Sequence, residues 1–117
     1  MNPVTEQPGR LVLFFGPRIR TITTAELAER LEAAPVVLLD VREPYEFAAG
    51  HVPRAVNVPL GQIRARASEF DASAETYVIC QSGHRSVKAT KQLTKSGFSN
   101  VANVRGGTSA WTGKLKR

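Results

Sequence analysis

The one thiol of the chain, Cys80, closes a short apolar run, Tyr77-Val78-Ile79, and is followed by Gln81-Ser82-Gly83-His84-Arg85-Ser86. The run reads as a strand and the residues after Arg85 as a helix. The thiol therefore opens a strand-to-helix loop. The first N–H groups of a helix have no intrahelical acceptor, and a loop that turns such groups inward forms a concavity for anions. Gly83 supplies the positive φ such a loop needs. A free cysteine titrates near ~8.5, and inward N–H dipoles bring it lower, leaving a nucleophilic thiolate. The same cradle suits a persulfide, which is anionic near neutral pH. Without the loop, Cys80 reads as an inert core residue; Gly83 and the helix start argue against that. Arg85 stands after four intervening residues, placed to cover the loop or to pair with an acid such as Glu46. His84 tunes the thiolate or faces solvent, and His51 belongs to a turn.

The elements that must position this loop alternate strand and helix. Thr23 and Glu26 form a capping box that starts a helix with Leu27, Leu31 and Ala34 on one face and a Glu26–Arg30 surface pair. Val36-Val37-Leu38-Leu39 is apolar at every position, as a central parallel strand is. Asp40 and Arg42 fall at its C-terminal end. Pro44 starts a short helix to about Ala49, capped by Gly50. Ala55 to Val58 is a third strand. Leu60 to Phe70 reads as a helix with Leu60, Ile63, Ala67 and Phe70 on its inner side. A helix over Ser86–Ser96 carries the stripe Lys88, Lys91, Lys95. Val101 to Val104 is a last strand, and Gly106-Gly107 turns into a helical segment near Trp111. Arg18 to Ile22 alternates as an edge strand does, and residues 1–17 read as an appendage to a domain spanning 18–117. Within the appendage, Leu11 to Phe15 is an extra strand or a segment packed on another chain. The pattern predicts an α/β domain with a mainly parallel sheet. Sites in such sheets lie beyond the carboxyl ends of the strands, where Asp40, Arg42 and Cys80 all fall.

Length, 117 residues, and composition (42% hydrophobic, 22% charged) fit one globular domain. One Cys excludes an internal disulfide framework, and with two His it argues against a metal site. A lone thiol that must stay reduced suits the cytoplasm. No run is long enough to span a membrane, and residues 1–16 lack the pattern of a secretory signal. The net charge of +6 is segregated: residues 76–117 hold eight basic side chains and no acidic one. That field attracts anions, although most of these lysines read first as a solvated basic face. The absence of interleaved aromatics argues against nucleic acid.

Four separated motifs together resemble the rhodanese family of sulfurtransferases. They are Leu38-Leu39-Asp40-Val41-Arg42-Glu43-Pro44-Tyr45-Glu46-Phe47, Gly50-His51-Val52-Pro53-Arg54-Ala55-Val56-Asn57-Val58-Pro59, the Cys80–Ser86 loop, and Gly106-Gly107-Thr108-Ser109-Ala110-Trp111. The resemblance covers roughly residues 19–113. It implies a three-layer fold with a mainly parallel five-stranded sheet flanked by helices, in the single-domain form. It implies that Cys80 takes a sulfane sulfur from a donor such as thiosulfate and passes it to a thiophilic acceptor. The backbone of Gln81, Ser82, Gly83, His84 and Arg85 would cradle the donor's oxyanion or the outer sulfur, with Asp40 and Arg42 in support. No cofactor or metal is implied. The partners would be a small anionic donor and a thiol or cyanide-like acceptor, including a thioredoxin-like or sulfur-relay protein, with the chain a monomer or homodimer. Gln81 stands where some members carry a basic residue, which predicts weaker use of thiosulfate, and Arg54 stands where Gly is common. Phosphatases of this fold place five residues between Cys and Arg; the four here favour one sulfur atom over phosphate. The competing reading is a non-catalytic docking module on the same fold.

Overall fold

The structure, a computed structural model, describes residues 18–117. The expectations placed on residues 1–17 lie outside the described residues. Five parallel strands, β1 (Arg20–Ile22), β2 (Val37–Asp40), β3 (Val56–Asn57), β4 (Thr76–Ile79) and β5 (Val101–Val104), form one sheet in the order β1-β5-β4-β2-β3. Between them run α1 (Thr24–Ala33), α2 (Pro44–Ala49), α3 (Ile63–Arg66) and α4 (His84–Lys95), and α5 (Gly107–Ala110) follows β5. The order places β4 at the centre, with β2 on one side and β5 on the other.

Successive strand residues point to opposite faces, and both faces of this sheet are covered. Leu39, Val78, Cys80 and Val101 pack with Ile63, Ala89 and Leu93 of α3 and α4. Leu38, Tyr77, Ile79 and Ala102 pack with Leu27 of α1 on the other face. This two-sided burial is why the central strands are apolar at nearly every position, and it gives the three layers the motifs imply. No helix among the described residues is long and apolar enough to cross a membrane.

Two local expectations are corrected. Leu60 to Phe70 is not one helix: 3₁₀ turns at Leu60–Gln62 and Ala67–Glu69 flank a single α-turn, α3. The backbone breaks at Gln62 and Arg66, both with ψ near zero (−4° and 0°). Arg66 is tied to Gln62 Oε1 (3.2 Å) and to both oxygens of Glu69 (3.1 Å each), side-chain bonds that favour tightened turns over a regular ladder. The periodicity still identifies the inner side, because Leu60, Ile63, Ala67 and Phe70 all pack on the core. Secondly, Arg30 does not pair with Glu26. The Glu26 carboxylate accepts from the Thr23 N–H (2.8 Å) in the capping box, and Arg30 makes a bidentate pair with Glu75 at 2.7 and 2.9 Å.

Candidate active site

The loop joins β4 to α4, which begins at His84, two residues earlier than the sequence suggests. His84 and Arg85 thus belong to the first helical turn. Gly83 is the residue that reverses the chain, at φ +108°, where a side chain would be strained. The reversal aims N–H groups at the sulfur: Gly83 N–H lies 3.1 Å from Cys80 Sγ and Ser86 N–H 3.4 Å away. Burial pushes the Cys80 thiol up. The Ser86 hydroxyl and the N–H groups of Ser86, Gly83 and Ser82 outweigh it, and the thiol ends below its ordinary value. Cys80 is only 1% exposed and packs with Leu39, Val78, Ala89 and Leu93 in the core, so the thiol lies beneath the loop rather than on its surface. Gln81, Ser82 and His84 form the exposed rim above it.

The floor of the loop is set by α5. Thr108 N–H donates to Cys80 O (2.8 Å) and Ser109 N–H to Gln81 O (3.0 Å). Gly107, at φ +61°, allows this approach: a Cβ there would stand 2.3 Å from Cys80 O and 2.5 Å from Gln81 O. The Gly106-Gly107 pair was the only signal in the sequence for this contact.

Arg85 spends its guanidinium on a bidentate pair with Glu46 of α2, at 2.7 and 3.0 Å. The guanidinium is the chief cause that takes the Glu46 carboxyl from 4.5 down to about 2. Hydrogen bonds from Arg30 and then Tyr77 bring Glu75 from 4.5 to about 2 as well. A carboxyl depressed on folding contributes stability above its unfolded value and loses it as pH falls through the folded one. The protein should therefore lose stability progressively between about pH 4.5 and about pH 2. Urea melts across this range should show a shallower slope for Glu46→Gln and for Glu75→Gln than for the parent. An unchanged slope in both would assign the acid sensitivity to other groups.

Asp40 and Arg42 are buried and spend their bonds on each other and on the backbone. Arg42 Nη2 donates to Asp40 Oδ2 and to Gly50 O, both at 2.8 Å, and Asn57 Nδ2 donates to Asp40 O (3.0 Å) and Arg42 O (2.9 Å). None of these bonds runs to residues 80–86. The pair fixes the end of β2 and the residue that caps α2, and it reaches the loop through charge on Glu46 and Arg85 rather than through a hydrogen bond. His51 stacks on Phe47 with ring centroids 3.7 Å apart, a packing role. Arg54 adopts φ +78°, which explains the sequence preference for Gly in this turn. Nothing local separates Ser86 from the other loop residues, whereas Asn103 is a polar residue in an otherwise apolar strand and is a signal.

A parallel α/β sheet whose central strand delivers a thiol to a helix-opening loop, with amide N–H groups directed at the sulfur, defines a cysteine-loop domain. The chain belongs to the rhodanese family: the family model Rhodanese-like domain matches residues 23–114. It is similar to a sulfurtransferase of Allochromatium vinosum, 36% identical over 94 residues that cover 80% of this chain and 88% of the relative. It is also 46% identical over 79 residues to YrkF of Bacillus subtilis, named as a candidate sulfur carrier protein; the match covers 68% of this chain and 43% of YrkF. The chain thus spans less than half of that relative's length. The crystal structure of a rhodanese-like domain protein from Staphylococcus aureus superposes with a TM-score of 0.77 at 36% identity, covering 84% of this chain and 97% of that one.

Proposed function

We propose that the protein is a sulfurtransferase that moves a sulfane sulfur through a persulfide on Cys80. The observation that carries this reading is the convergence of N–H groups on Sγ across a four-residue Cys–Arg interval. The Cys80 thiolate attacks the outer sulfur of the donor. With thiosulfate, an S–S bond forms to Cys80, the donor's S–S bond breaks, and sulfite leaves with the electron pair. An acceptor thiolate then attacks the outer sulfur of the persulfide, and Cys80 leaves as a thiolate. The amides of residues 81–85 stabilise the charge on the donor and on the outer sulfur. Gln81 adds no charge at the rim, so an anionic donor is held by the backbone amides alone and thiosulfate should be used more weakly than where that position is basic. A reducing compartment such as the cytoplasm would keep the thiol available. Incubation with thiosulfate, or with a persulfide-generating desulfurase, followed by intact-mass measurement, tests the reading. One added sulfur that cyanide removes supports it.

The second reading, a docking module without catalysis, draws on a surface groove of about 440 Å³ lined by Arg64, Lys88, Lys91, Gln92, Lys95 and Ser96. None of its four cations forms an ion pair among the described residues. Lys88 stands one helical turn from His84 at the loop rim. We keep the transfer reading and take from the second only its docking surface: the groove receives the acidic surface of a protein acceptor and the loop delivers the sulfur. For the double variant Lys88→Glu/Lys91→Glu, KM should rise about tenfold with a Glu-rich cysteine peptide as acceptor. With dithiothreitol as acceptor it should stay within about twofold, because a small neutral thiol gains nothing from the groove. Equal effects on both acceptors would remove the groove from the reaction.

A further inference from the structure

Ser86 and Asn103 form a buried polar pair against the sulfur that the proposed chemistry has not used. Ser86 is 0% and Asn103 4% exposed. Asn103 lies in β5, in register with Val78 of β4, two residues before Cys80. The Ser86 hydroxyl oxygen is 2.5 Å from Asn103 Oδ1, 3.2 Å from Gly83 O and 3.4 Å from Cys80 Sγ. A hydroxyl has one proton, so these three acceptors compete for it.

The competition has a different outcome in each state of the sulfur. As a thiol, Cys80 donates its S–H to Ser86 Oγ, and the hydroxyl proton goes to Asn103 Oδ1. As a thiolate, Cys80 can only accept, and the hydroxyl proton must turn to Sγ. Ser86 Oγ would then face Asn103 Oδ1 with no proton between two oxygens at 2.5 Å. Rotation of the carboxamide by half a turn replaces Oδ1 with Nδ2, and the chain of donors then runs from Asn103 to Ser86 to the sulfur. A carboxamide holds a donor and an acceptor at equivalent ends, so it serves both states; a carboxylate or an alkyl group does not.

We propose that Asn103 is a positioning residue that reverses its amide with the charge on Cys80 and so aims the single Ser86 proton at the thiolate. The device acts when Cys80 attacks and again when it leaves as a thiolate from the persulfide, whose charge resides on the outer sulfur. The proton never departs from Ser86, and Cys80 is the one group whose protonation changes. The charge that couples to the sulfur is Arg85 of α4; its partner Glu46 of α2 and Asp40 of β2, itself paired with Arg42, act on Arg85. His84 lies at the exposed rim. These charges are the same with either amide orientation, so they do not replace the relay.

This inference rests on Cys80 as the reacting thiol, and its test needs no sulfur donor. In the ¹⁵N-labelled full chain, the Asn103 side-chain NH₂ resonance should move with pH at the midpoint given by the iodoacetamide rate of Cys80. In Ser86→Ala it should stay still, and alkylation at neutral pH should slow about tenfold, the loss of one hydrogen bond to a charged group. Asn103→Asp should slow alkylation further in the parent background than in Ser86→Ala, because only the former has a hydroxyl to misdirect. A static Asn103 resonance in the parent would overturn the relay, as would an equal Asn103→Asp effect in both backgrounds. The parent titration requires no variant to fold. If persulfide never forms but the resonance tracks the thiol, the transfer reading fails and the relay stands; a static resonance with normal transfer fails the relay alone.

Discussion

Cys80→Ser should transfer no measurable sulfur, a loss of at least about a thousandfold in turnover. The reason is chemical rather than structural. A serine hydroxyl remains protonated where the thiol, already below its ordinary value through the Ser86, Gly83 and Ser82 donors, ionises. An alkoxide is also a poor leaving group, so no second half-reaction could complete. The loop itself should persist in the variant, because Gly83 is set by its own φ and the floor by backbone bonds from Thr108 and Ser109. Near-parent melting combined with an unchanged mass after exposure to donor is the expected pair of results. Turnover by Cys80→Ser comparable to the parent would end the sulfurtransferase interpretation.

Gly107→Ala should be nearly as severe by a different route. Its Cβ would meet the Cys80 carbonyl oxygen at 2.3 Å and the Gln81 carbonyl carbon at 2.6 Å, and both are backbone atoms that cannot swing aside. Relief requires α5 to withdraw, which breaks the bonds from Thr108 and Ser109 to the loop floor. Two lost hydrogen bonds, each about 1 kcal/mol, and a non-glycine residue at φ +61°, about 1–2 kcal/mol, together suggest about 3–4 kcal/mol. That corresponds to a drop in Tm of roughly 10–20 °C for a domain of this size. Gly97→Ala is the control: its φ is +99°, yet nothing lies within 4 Å of the added atom, so only the backbone strain remains. The Gly97 variant should lose about a third as much. Iodoacetamide kinetics should also slow in Gly107→Ala and not in Gly97→Ala, because only the former displaces the residues that frame Sγ. If the two variants melt together, the close approach of α5 is not what fixes the loop.

Much of this molecule is written in short-range pattern. Val37 to Leu39 and Tyr77 to Ile79 read as central strands because they are short, β-branched-rich apolar runs at consecutive positions, which a sheet buried on both faces accommodates. Thr23 and Glu26 had to cap α1, since three residues of spacing let each side chain reach the other's N–H. The thiol, the glycine and the helix start after β4 are likewise local, and so the character of the loop could be read from the amino acids alone. Periodicity named the inner side of the 60–70 segment but not its backbone form, because the same spacing survives when α-turns tighten into 3₁₀ turns.

What the chain order could not reveal is which distant groups surround the sulfur. Arg85 finds Glu46 across 39 positions, Ser86 finds Asn103 across 17, and Arg30 finds Glu75 across 45. These meetings follow from the strand order β1-β5-β4-β2-β3, which sets β2 and β5 on either side of the thiol-bearing strand. Sheet order is decided by how the two buried faces pack as a whole, and no window of sequence contains that information. The residues themselves thus specified a thiol at a glycine-turned helix start; the assembled sheet determined how deeply it lies, which carboxylate holds Arg85, and which polar residue of β5 meets Ser86.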